Sequence, residues 1–461
     1  MPLKIKNIIL LIPLLWSFNR LQAQDSTLIG KTLRWDLVKC IDYAKQNNIQ
    51  INTLRLSQLT SQQEYLLAKA GRLPSLSGSA SQNFEHINNN SRNNGSGVAV
   101  VDSNGNVINN GKGSSFIATG NYSLNSTVTL YNGNLLNNTI SQKNLGVQSA
   151  NLNIIQQEND ITLQITQAYL TILLDKENVI YDTDLVTTTT AQVKLEQQRY
   201  DVGSVARAAL IQLQAQQAND KYTLVNQQNT ERGDLLTLKQ LLLLPSDVNF
   251  DIIKPDTITP IDTVTAFHEV EKIALTNRPE VKNGELGVKI AQYDVEKARA
   301  GYKPLLTAGG SLNTGYVTGQ GNFGNQLNYN FNQQVGLNLS IPIFTKRVVK
   351  TQVEEAKIAV EQSQLDLKNT KTTLSQTVER AFINVQNSKS QYEAAQEQYK
   401  YSKESYRIAS EQLKVGVANT VDFLLQKTLF VQAQQAFIQA KYNELLTLKI
   451  YDFYRGIPIK L

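Results

Sequence analysis

The sequence predicts an α+β membrane protein made of two copies of one unit, each with two β-strands and a hairpin of long α-helices. Three observations lead to this fold class. Sequence motifs return after 213 to 230 residues, which indicates an internal duplication. Some stretches alternate between apolar and polar residues over lengths suited to membrane strands. Two further stretches of about 70 residues are nearly free of glycine and proline.

The N-terminus reads as a secretory signal peptide over residues 1–23. Lys4 and Lys6 precede an apolar stretch at residues 8–16, and Ala23 is the small residue expected at the cleavage point. The apolar stretch is about half of the roughly 20 residues that a spanning helix needs, so it does not read as a membrane anchor. No later segment approaches a run of about 18 apolar residues, so an integral membrane role would have to use β-strands.

The chain carries no residue pattern that indicates catalysis. Its two histidines are His86, expected at the start of a loop, and His268, expected on a helix surface, and no metal-ligand cluster or nucleophile motif is present. The only cysteine, Cys40, excludes a disulfide within the chain and reads as an ordinary helix residue. The formal charge of +6 falls to +3 without the three basic residues of the signal peptide. We therefore expect no enzymatic activity, no metal, no cofactor and no nucleic acid partner.

The duplication is visible in paired motifs. Ala-Gly-Arg-Leu-Pro-Ser-Leu at residues 70–76 returns as Ala-Gly-Tyr-Lys-Pro-Leu-Leu at residues 300–306, a spacing of 230. Residues 124–131 return at 337–344, a spacing of 213, so the two copies differ in loop length. Within the mature chain we place one domain, residues 24–461, in two repeats at about 32–245 and 263–455.

Four stretches have the two-residue period of β-strands, near residues 74–85, 116–131, 304–317 and 327–344. The second and the fourth put apolar residues on one face and polar residues on the other, which suits a tilted strand of a membrane barrel. A half-buried strand of a soluble sandwich shows the same alternation. Long polar loops at residues 86–115 and 318–326 favour the barrel, because such loops are typical of the outer face of outer-membrane barrels.

The number of strands constrains the assembly. Four strands are too few to close a barrel, because the smallest ordinary barrels have about eight. The chain must therefore combine its strands with those of further copies, or pack them against another structure.

Long helices are predicted near residues 134–202, 204–244, 347–415 and 417–455. The longer ones would extend roughly 100 Å, far more than a helix of a compact domain. They end at Gly203 and Gly416, and glycine suits the left-handed backbone that ends a helix. The second of them carries a coiled-coil seam with 3,4 spacing that indicates close packing against a neighbouring helix. The seam comprises Val378, Ala381, Val385, Ser388, Tyr392, Ala395, Tyr399, Ser402, Tyr406, Ala409 and Leu413.

Several short motifs occur in a specific order along the chain. They are Asn-Arg-Pro-Glu at 277–280, Ala-Gly-Tyr-Lys-Pro at 300–304, Ser-Ile-Pro-Ile-Phe at 340–344, and the turns at 199–203 and 413–416. With the duplication and the helix lengths, this order resembles the TolC family of outer-membrane efflux ducts. The resemblance covers nearly all of residues 32–455.

The resemblance implies a TolC-like trimeric tube, in which three protomers give four strands each to one twelve-stranded barrel and their helices cross much of the periplasm. It implies the outer membrane of a Gram-negative bacterium, with contact to outer-membrane lipid. The implied function is a passive export duct for small molecules or proteins in a tripartite efflux or type I secretion system. The implied partners are a periplasmic adaptor of the membrane fusion protein class and an inner-membrane pump or ABC transporter.

Two other classes of protein remain as alternatives. A porin would spend its chain on strands, so the long helices argue against it. A periplasmic coiled-coil scaffold would leave the four alternating strands unused.

The resemblance also assigns roles to the two hairpin tips. In the family, the tips form the periplasmic end of the tube, where it narrows and the adaptor docks. The corresponding residues are Val202, Gly203, Ser204 and Val205 in the first hairpin and Val415, Gly416, Val417 and Ala418 in the second. Small residues there would let a partner's backbone approach closely, although the glycines would end the helices in either case.

Asp422 matches an acidic position that narrows the aperture in some family members. Three Asp422 side chains, one per protomer, would form a negative constriction that favours cations. The other acidic positions of the family correspond to Leu425 and Ala209 here, so the expected periplasmic gate has one acidic ring at most. The alternative is that Asp422 is a capping or solvated residue near a helix start, where acidic side chains are favoured.

Overall fold

The structure is a computed structural model that describes residues 32–87, 115–255 and 264–460. The predicted signal peptide and most of the first polar loop lie outside the described residues. The first unit contains β1 (Leu33–Trp35), α1 (Leu37–Asn47), α2 (Ile49–Ala70), β2 (Ser75–Ile87), β3 (Ser115–Tyr131), α3 (Leu135–Asp201), α4 (Arg207–Leu241) and β4 (Phe250–Ile252). The second unit contains α5 (Phe267–Asn277), α6 (Pro279–Arg299), β5 (Leu305–Val317), α7 (Phe323–Tyr329), β6 (Asn332–Ser340), α8 (Val348–Lys414) and α9 (Thr420–Tyr454).

The main elements of the two units have the same order, which confirms the predicted duplication. α3 and α8 have 67 residues each, and α4 and α9 have 35 residues each. Both helix pairs start 213 residues apart, and β2 and β5 start 230 residues apart. Four long strands and two hairpins of long helices per chain confirm the predicted fold class.

Local sequence fixes where several of the shorter helices begin. The Asp36 side chain accepts a hydrogen bond from the Lys39 N–H at 2.8 Å at the start of α1. Asn48 does the same for the Ile51 N–H at 3.1 Å at the start of α2. α6 begins with Pro279, whose missing N–H has no partner in a first turn anyway.

The four long strands form one antiparallel sheet in the order β2-β3-β5-β6. The two units meet at its centre, where β3 pairs with β5 and Leu124 lies opposite Leu312. β2 and β6 are the two edges of this sheet. Apolar side chains of β6 are open to solvent in the single chain, since Val335 is 91% exposed and Leu337 is 72% exposed.

The fourth strand is shorter than the alternation predicts. α7 replaces the first residues of the predicted strand, and β6 covers only 332–340 of the predicted 327–344. Asn322 starts α7, because its side chain accepts a hydrogen bond from the Gly324 N–H at 2.9 Å. At the other end, Pro342 has no N–H to donate to a neighbouring strand.

Gln326 of α7 takes the place of a strand residue beside β5. Its Oε1 accepts a hydrogen bond from the Val317 N–H at 2.7 Å, and its Nε2 donates to the Val317 carbonyl at 3.0 Å. Asn330 donates to the Gly315 carbonyl at 2.8 Å. Side-chain amides that produced the polar half of the alternation therefore satisfy the sheet backbone in place of a strand ladder.

The largest buried cluster surrounds the parallel pair of β1 and β4. Trp35, Cys40 and Ile165 are among its members, and Tyr169 donates a hydrogen bond to the Ile253 carbonyl at 2.5 Å. Burial raises the pKa of the Cys40 thiol to about 12, so Cys40 is an ordinary buried helix residue. The cluster fastens α1 and both short strands to α3.

Each unit packs its first long helix against the helix that precedes the strands, with an ion pair at the same place. Arg55 of α2 is 3.0 Å from Glu158 of α3, and Lys371 of α8 is 3.2 Å from Glu285 of α6. Arg55 and Glu285 are equivalent positions, and so are Glu158 and Lys371, so the charges are exchanged between the units. The contribution of these partly exposed pairs to stability is small, but they show that both units keep one helix register.

Candidate functional site

Both long helices end in the same hydrogen-bonded turn. In the first, the Gly203 N–H donates to the Tyr200 carbonyl at 2.9 Å and the Ser204 N–H donates to the Arg199 carbonyl at 2.8 Å. This is a Schellman motif, and Gly203 supplies its left-handed residue with φ of +75°. Gly416 has φ of +78° and ends α8 with the equivalent pair of hydrogen bonds. The predicted tips are therefore two copies of one turn.

The tips expose apolar side chains. Val202 is 79% exposed, Val415 is 72% exposed and Val417 is 77% exposed. Val205 and Ala418, which are equivalent positions in the two units, are half-buried. Exposed valines at the ends of long helices cover no core of the chain itself, so they are available to a partner.

Arg199 joins the two tips. Its Nη1 donates to the Leu413 carbonyl at 2.8 Å, and its Nη2 donates to the Lys414 carbonyl, both in the last turn of α8. The Glu196 carboxylate lies 3.6 Å from the same guanidinium. A cation suits this place, because carbonyl groups at the end of a helix have no partner within the helix and the helix dipole is negative there. The turn of the first hairpin is thus tied to the turn of the second.

Sequence analysis assigned no role to Arg199, although it noted the turn that contains it. The equivalent residue of the second unit is Gln412, which is exposed. The signal that could have revealed the contact is this difference, an arginine without a counterpart in two otherwise matching turns.

A buried ion pair lies behind the tips where three helices meet. Lys427 Nζ of α9 is 2.5 Å from Asp220 Oδ2 of α4 and 2.6 Å from Thr189 Oγ1 of α3. Gln216 donates to the other carboxylate oxygen of Asp220 at 2.8 Å. Lys427 is 1% exposed and Asp220 is 3% exposed. Burial lowers the pKa of Lys427, and the Asp220 carboxylate opposes that shift, so the pair holds the hairpins together without contact with water.

One turn nearer the tips, apolar side chains from both hairpins form a closed cluster. Its buried members are Leu213, Ala409, Leu413 and Phe423. The cluster separates the ion pair from the exposed turns, which keeps the local dielectric around the two charges low.

Aromatic rings stack along the seam of the second hairpin. The rings of Tyr399 and Phe437 have centroids 5.0 Å apart, and so do those of Tyr406 and Phe430. Both pairs are nearly parallel, with interplanar angles of 6° and 3°. The stacking confirms the predicted coiled-coil packing of this seam against a neighbouring helix, which is α9. The first hairpin lacks the stacking, since the equivalent of Tyr406 is Val193.

A second polar contact joins the hairpins further from the tips. Glu177 of α3 accepts hydrogen bonds from Lys441 Nζ at 2.9 Å and from the Tyr442 hydroxyl at 2.6 Å, both on α9. Burial alone would raise the pKa of Glu177, but these hydrogen bonds lower it. With the Lys427 contact, this pair of residues fixes α3 against α9 at two levels.

The first hairpin contains a buried carboxyl group, Asp175, between α3 and α4. Gln227 donates to its Oδ1 at 2.9 Å. Burial and the neighbouring Asp234 carboxyl group raise the pKa of Asp175 to about 7. Glu231, which pairs with Lys176 at 2.9 Å, adds a further negative charge nearby. Asp175 can therefore change its protonation near neutral pH.

Asp422 lies in the first turn of α9 with an exposed side chain. Its N–H donates to the Asn419 side chain at 2.8 Å, so Asn419 is the residue that caps the helix. Leu425 is exposed one turn further on, and Ala209 is half-buried. A single chain does not bring several Asp422 side chains together, so the gate role remains a prediction.

Residues 32–87, 115–255 and 264–460 also show where the histidines lie. His86 is opposite Phe116 within the β2–β3 pair, so it belongs to a strand and not to a loop. The His268 side chain is 90% exposed on α5. Across these same ranges, no three His, Cys, Asp or Glu side chains converge to hold a metal ion. No helix of the described chain has the length and apolar character needed to cross a membrane.

Solved structures of bacterial outer membrane channels share this fold. The Campylobacter jejuni CmeC outer membrane channel aligns with a TM-score of 0.74 at 18% identity, over 91% of this chain and 86% of that chain. The Vibrio cholerae outer membrane protein VceC aligns at 0.72 and 15% identity, over 91% and 96%. The open state of the Neisseria gonorrhoeae MtrE outer membrane channel aligns at 0.71 and 18% identity, over 94% and 93%. At such identities the similarity defines the fold, that of a TolC-like channel protomer.

Sequence comparison then gives the family. The family model of outer membrane efflux proteins matches residues 40–242 and 271–448, one segment in each unit. The chain belongs to the outer membrane efflux protein family. It is an outer-membrane transport protein of a Gram-negative bacterium that extends into the periplasm, and proteins of this family are ducts rather than enzymes. A search of curated protein sequences finds no match.

Proposed function

We propose that the chain is the outer-membrane channel of a tripartite efflux or type I secretion system. Three copies would form a passive duct that exports small molecules or proteins across the periplasm and the outer membrane. Each copy would give four strands to a twelve-stranded barrel in contact with outer-membrane lipid. The strand count supports this assembly, because four strands cannot close a barrel alone.

The tips carry the proposal further, toward a periplasmic adaptor. Two identical turns are held side by side by Arg199 and present the exposed side chains of Val202, Val415 and Val417. An apolar patch on a rigid base is what a protein partner can bind, because little side-chain freedom is lost on binding. The adaptor would connect the duct to an inner-membrane pump or ABC transporter.

Measuring dye accumulation tests the export function against the alternatives. Cells without the chain should retain more of a fluorescent efflux substrate than cells that express it, because the duct completes the exit path. A porin would give the opposite result, since its loss slows entry. A periplasmic scaffold would appear in the soluble periplasmic fraction, whereas the proposed duct sediments with the outer membrane.

Cysteine cross-linking tests the docking site. In a Cys40→Ala background, Val202→Cys and Val417→Cys should each form a cross-link to the periplasmic adaptor through a bifunctional maleimide. Tyr222→Cys is the matched control, because Tyr222 is 67% exposed on α4 but far along the chain from both turns. Adaptor capture at Tyr222 but not at the tips would overturn the docking site.

We also propose that three Asp422 side chains form a single acidic ring near the periplasmic end of the duct. The exposed side chain, the short distance in sequence from the second tip and the helix position it shares in all copies support this role. The absence of acidic residues at Leu425 and Ala209 leaves this ring as the only one expected there.

A further inference from the structure

The interface between the two units within one chain consists of two layers. In the sheet, β3 of the first unit pairs with β5 of the second. In the helical layer, Asn283 of α6 lies 2.5 Å from Ser149 Oγ of α3 and donates to Asn153 Oδ1 at 2.7 Å. Lys297 of α6 donates to Gln142 of α3 at 2.8 Å. The first unit thus uses β3 and α3 as one face, and the second unit uses β5 and α6 as the complementary face.

The duplication gives each unit both faces, but one chain uses each face only once. The equivalents of β5 and α6 in the first unit are β2 and α2. On α6, the interface positions Asn283, Leu286, Ile290 and Lys297 are half-buried. Their equivalents on α2 are exposed, namely Thr53, Leu56, Thr60 and Leu67. Leucines that are 64% and 74% exposed at positions 56 and 67 make this an apolar face without a partner in the chain.

The other face is left open at the opposite end of the chain. The equivalents of β3 and α3 in the second unit are β6 and α8. On α3, Gln142, Leu145, Ser149 and Leu152 are half-buried with 3,4 spacing. Their equivalents on α8 are all exposed, namely Glu355, Ile358, Gln362 and Leu365. The first unit therefore ends in one half of the internal interface, and the second unit ends in the other half.

We propose that β6 and α8 of one copy bind β2 and α2 of the next copy in the register that β3 and α3 show with β5 and α6 inside the chain. The occupant of each open face is thus a second copy of this chain. Such a contact is head-to-tail, so it forms a ring when the rotation closes. The inference rests on the proposed duct, because it specifies how the copies of that duct join.

The internal register translates into specific residue pairs. Residues of the second unit are reached by adding 213 to those of β3, and residues of the first unit by subtracting 230 from those of β5. Inside the chain, Tyr122 lies opposite Thr314. The translated pair is Val335 opposite Phe84 of the next copy. An aromatic residue opposite a β-branched one is a favourable cross-strand pair, and both side chains are exposed in the single chain.

A second translated pair repeats the chemistry of the internal one. Asn125 lies opposite Ser311 inside the chain. The translation places Asn338 opposite Ser81 of the next copy, which is again asparagine opposite serine. A slip of one residue would move every apolar side chain of β6 to the polar face, so the alternation of both edges opposes it.

Disulfide trapping tests the register directly. In a Cys40→Ala background, Val335→Cys combined with Phe84→Cys should oxidise to covalent dimers and trimers on a non-reducing gel. Opposite residues have Cβ atoms about 4.5–5.5 Å apart, which a disulfide tolerates, whereas diagonal neighbours are about 7–8 Å apart. Val335→Cys with Gln82→Cys, and Val335→Cys with His86→Cys, are therefore matched controls on the same face and should cross-link at least tenfold more slowly.

The helical layer gives an independent measurement. Ser149 and Asn283 translate into Gln362 and Thr53 of the next copy. Gln362→Cys and Thr53→Cys together should yield trimers with a short bismaleimide, and either substitution alone should not. Faster cross-linking at Gln82 or His86 than at Phe84, or no cross-link in either layer, would overturn the register.

Dye export by the same reduced variants separates this inference from the proposed function. A variant that exports dye but cross-links in another register would refute the register and leave the duct intact. The predicted cross-links in cells whose dye efflux does not depend on the chain would support the register and refute the export function.

Discussion

Arg199 Nη1 lies 2.8 Å from the Leu413 carbonyl oxygen, so the last turn of one hairpin holds the last turn of the other. Arg199→Met should remove a charge-assisted contact worth about 1.5–3 kcal/mol. Because the contact is local, the expected result is faster hydrogen exchange at the amides of residues 415–418 with little change elsewhere. Gln412→Met is the matched control, since Gln412 is the exposed equivalent of Arg199. Equal exchange in both variants would show that the contact does not hold the tips.

The buried ion pair of Lys427 and Asp220 should be costly to break from one side. Lys427→Met leaves the Asp220 carboxylate buried without a counter-charge, so we expect a loss of about 3–5 kcal/mol in the free energy of unfolding. The double variant Lys427→Met with Asp220→Leu should recover most of that loss, because no charge remains buried. Thermal melts of the purified protein in detergent would measure both. A double variant no more stable than the single one would contradict the role of the unpaired charge.

Stability should depend on pH through Asp175. Its pKa in the folded chain is raised from 3.8 to about 7, so between these values the folded state binds more protons than the unfolded state. The stability that this proton provides is present in mild acid and is lost as the pH rises through about 7. Asp175→Asn, which mimics the protonated group, should therefore raise the melting temperature at pH 8 more than at pH 5. Asp201→Asn, at an exposed position, should show no such difference.

Glycine substitutions should have opposite effects at the tips and inside the helices. Gly203 has φ of +75° and open space around it, so alanine there costs only the backbone conformation, about 1–2 kcal/mol. Gly233 also has open space but lies within α4, where alanine should stabilise by up to about 1 kcal/mol. Melting temperatures of Gly203→Ala and Gly233→Ala should move in opposite directions. Movement in the same direction would mean that the turn is not held in the left-handed conformation.

The proposed acidic ring can be tested by conductance. Asp422→Asn should reduce cation selectivity and weaken block by multivalent cations in planar bilayers, because three negative charges leave one constriction. Thr420→Ser, on the same turn, keeps the charge and is the control. Unchanged selectivity in Asp422→Asn would leave Asp422 as a solvated residue of the helix start.

The features that could be predicted from sequence are those that depend on neighbouring residues. Gly203 and Gly416 mark the helix ends, because the Schellman turn needs a left-handed residue and its hydrogen bonds stay within six residues. The duplication then gave the pairing of strands and helices in each unit. Alternation also predicted the strands, except where Gln326 used its side chain to replace a backbone partner.

The contacts that escaped prediction join residues far apart in the chain. Arg199 and Leu413 are separated by 214 residues, and no local pattern specifies which carbonyl groups a guanidinium will meet. Lys427 and Asp220 are separated by 207 residues, and a lysine on a helix reads as a solvent-exposed residue until its neighbours are known. The role of Asp422 depends on other copies of the chain, so it is beyond both the sequence and one protomer.

Arg199 has a further consequence for the ring of six tips in the proposed trimer. Contacts within a chain would carry Arg199, whereas the equivalent contacts between copies would carry the uncharged Gln412. Spin labels at Val202 and Val415 should therefore keep a fixed distance within a chain and show a broader distribution between copies. The end of the tube would then be a three-fold device with three firm joints and three weak seams, and it would widen by parting at the seams.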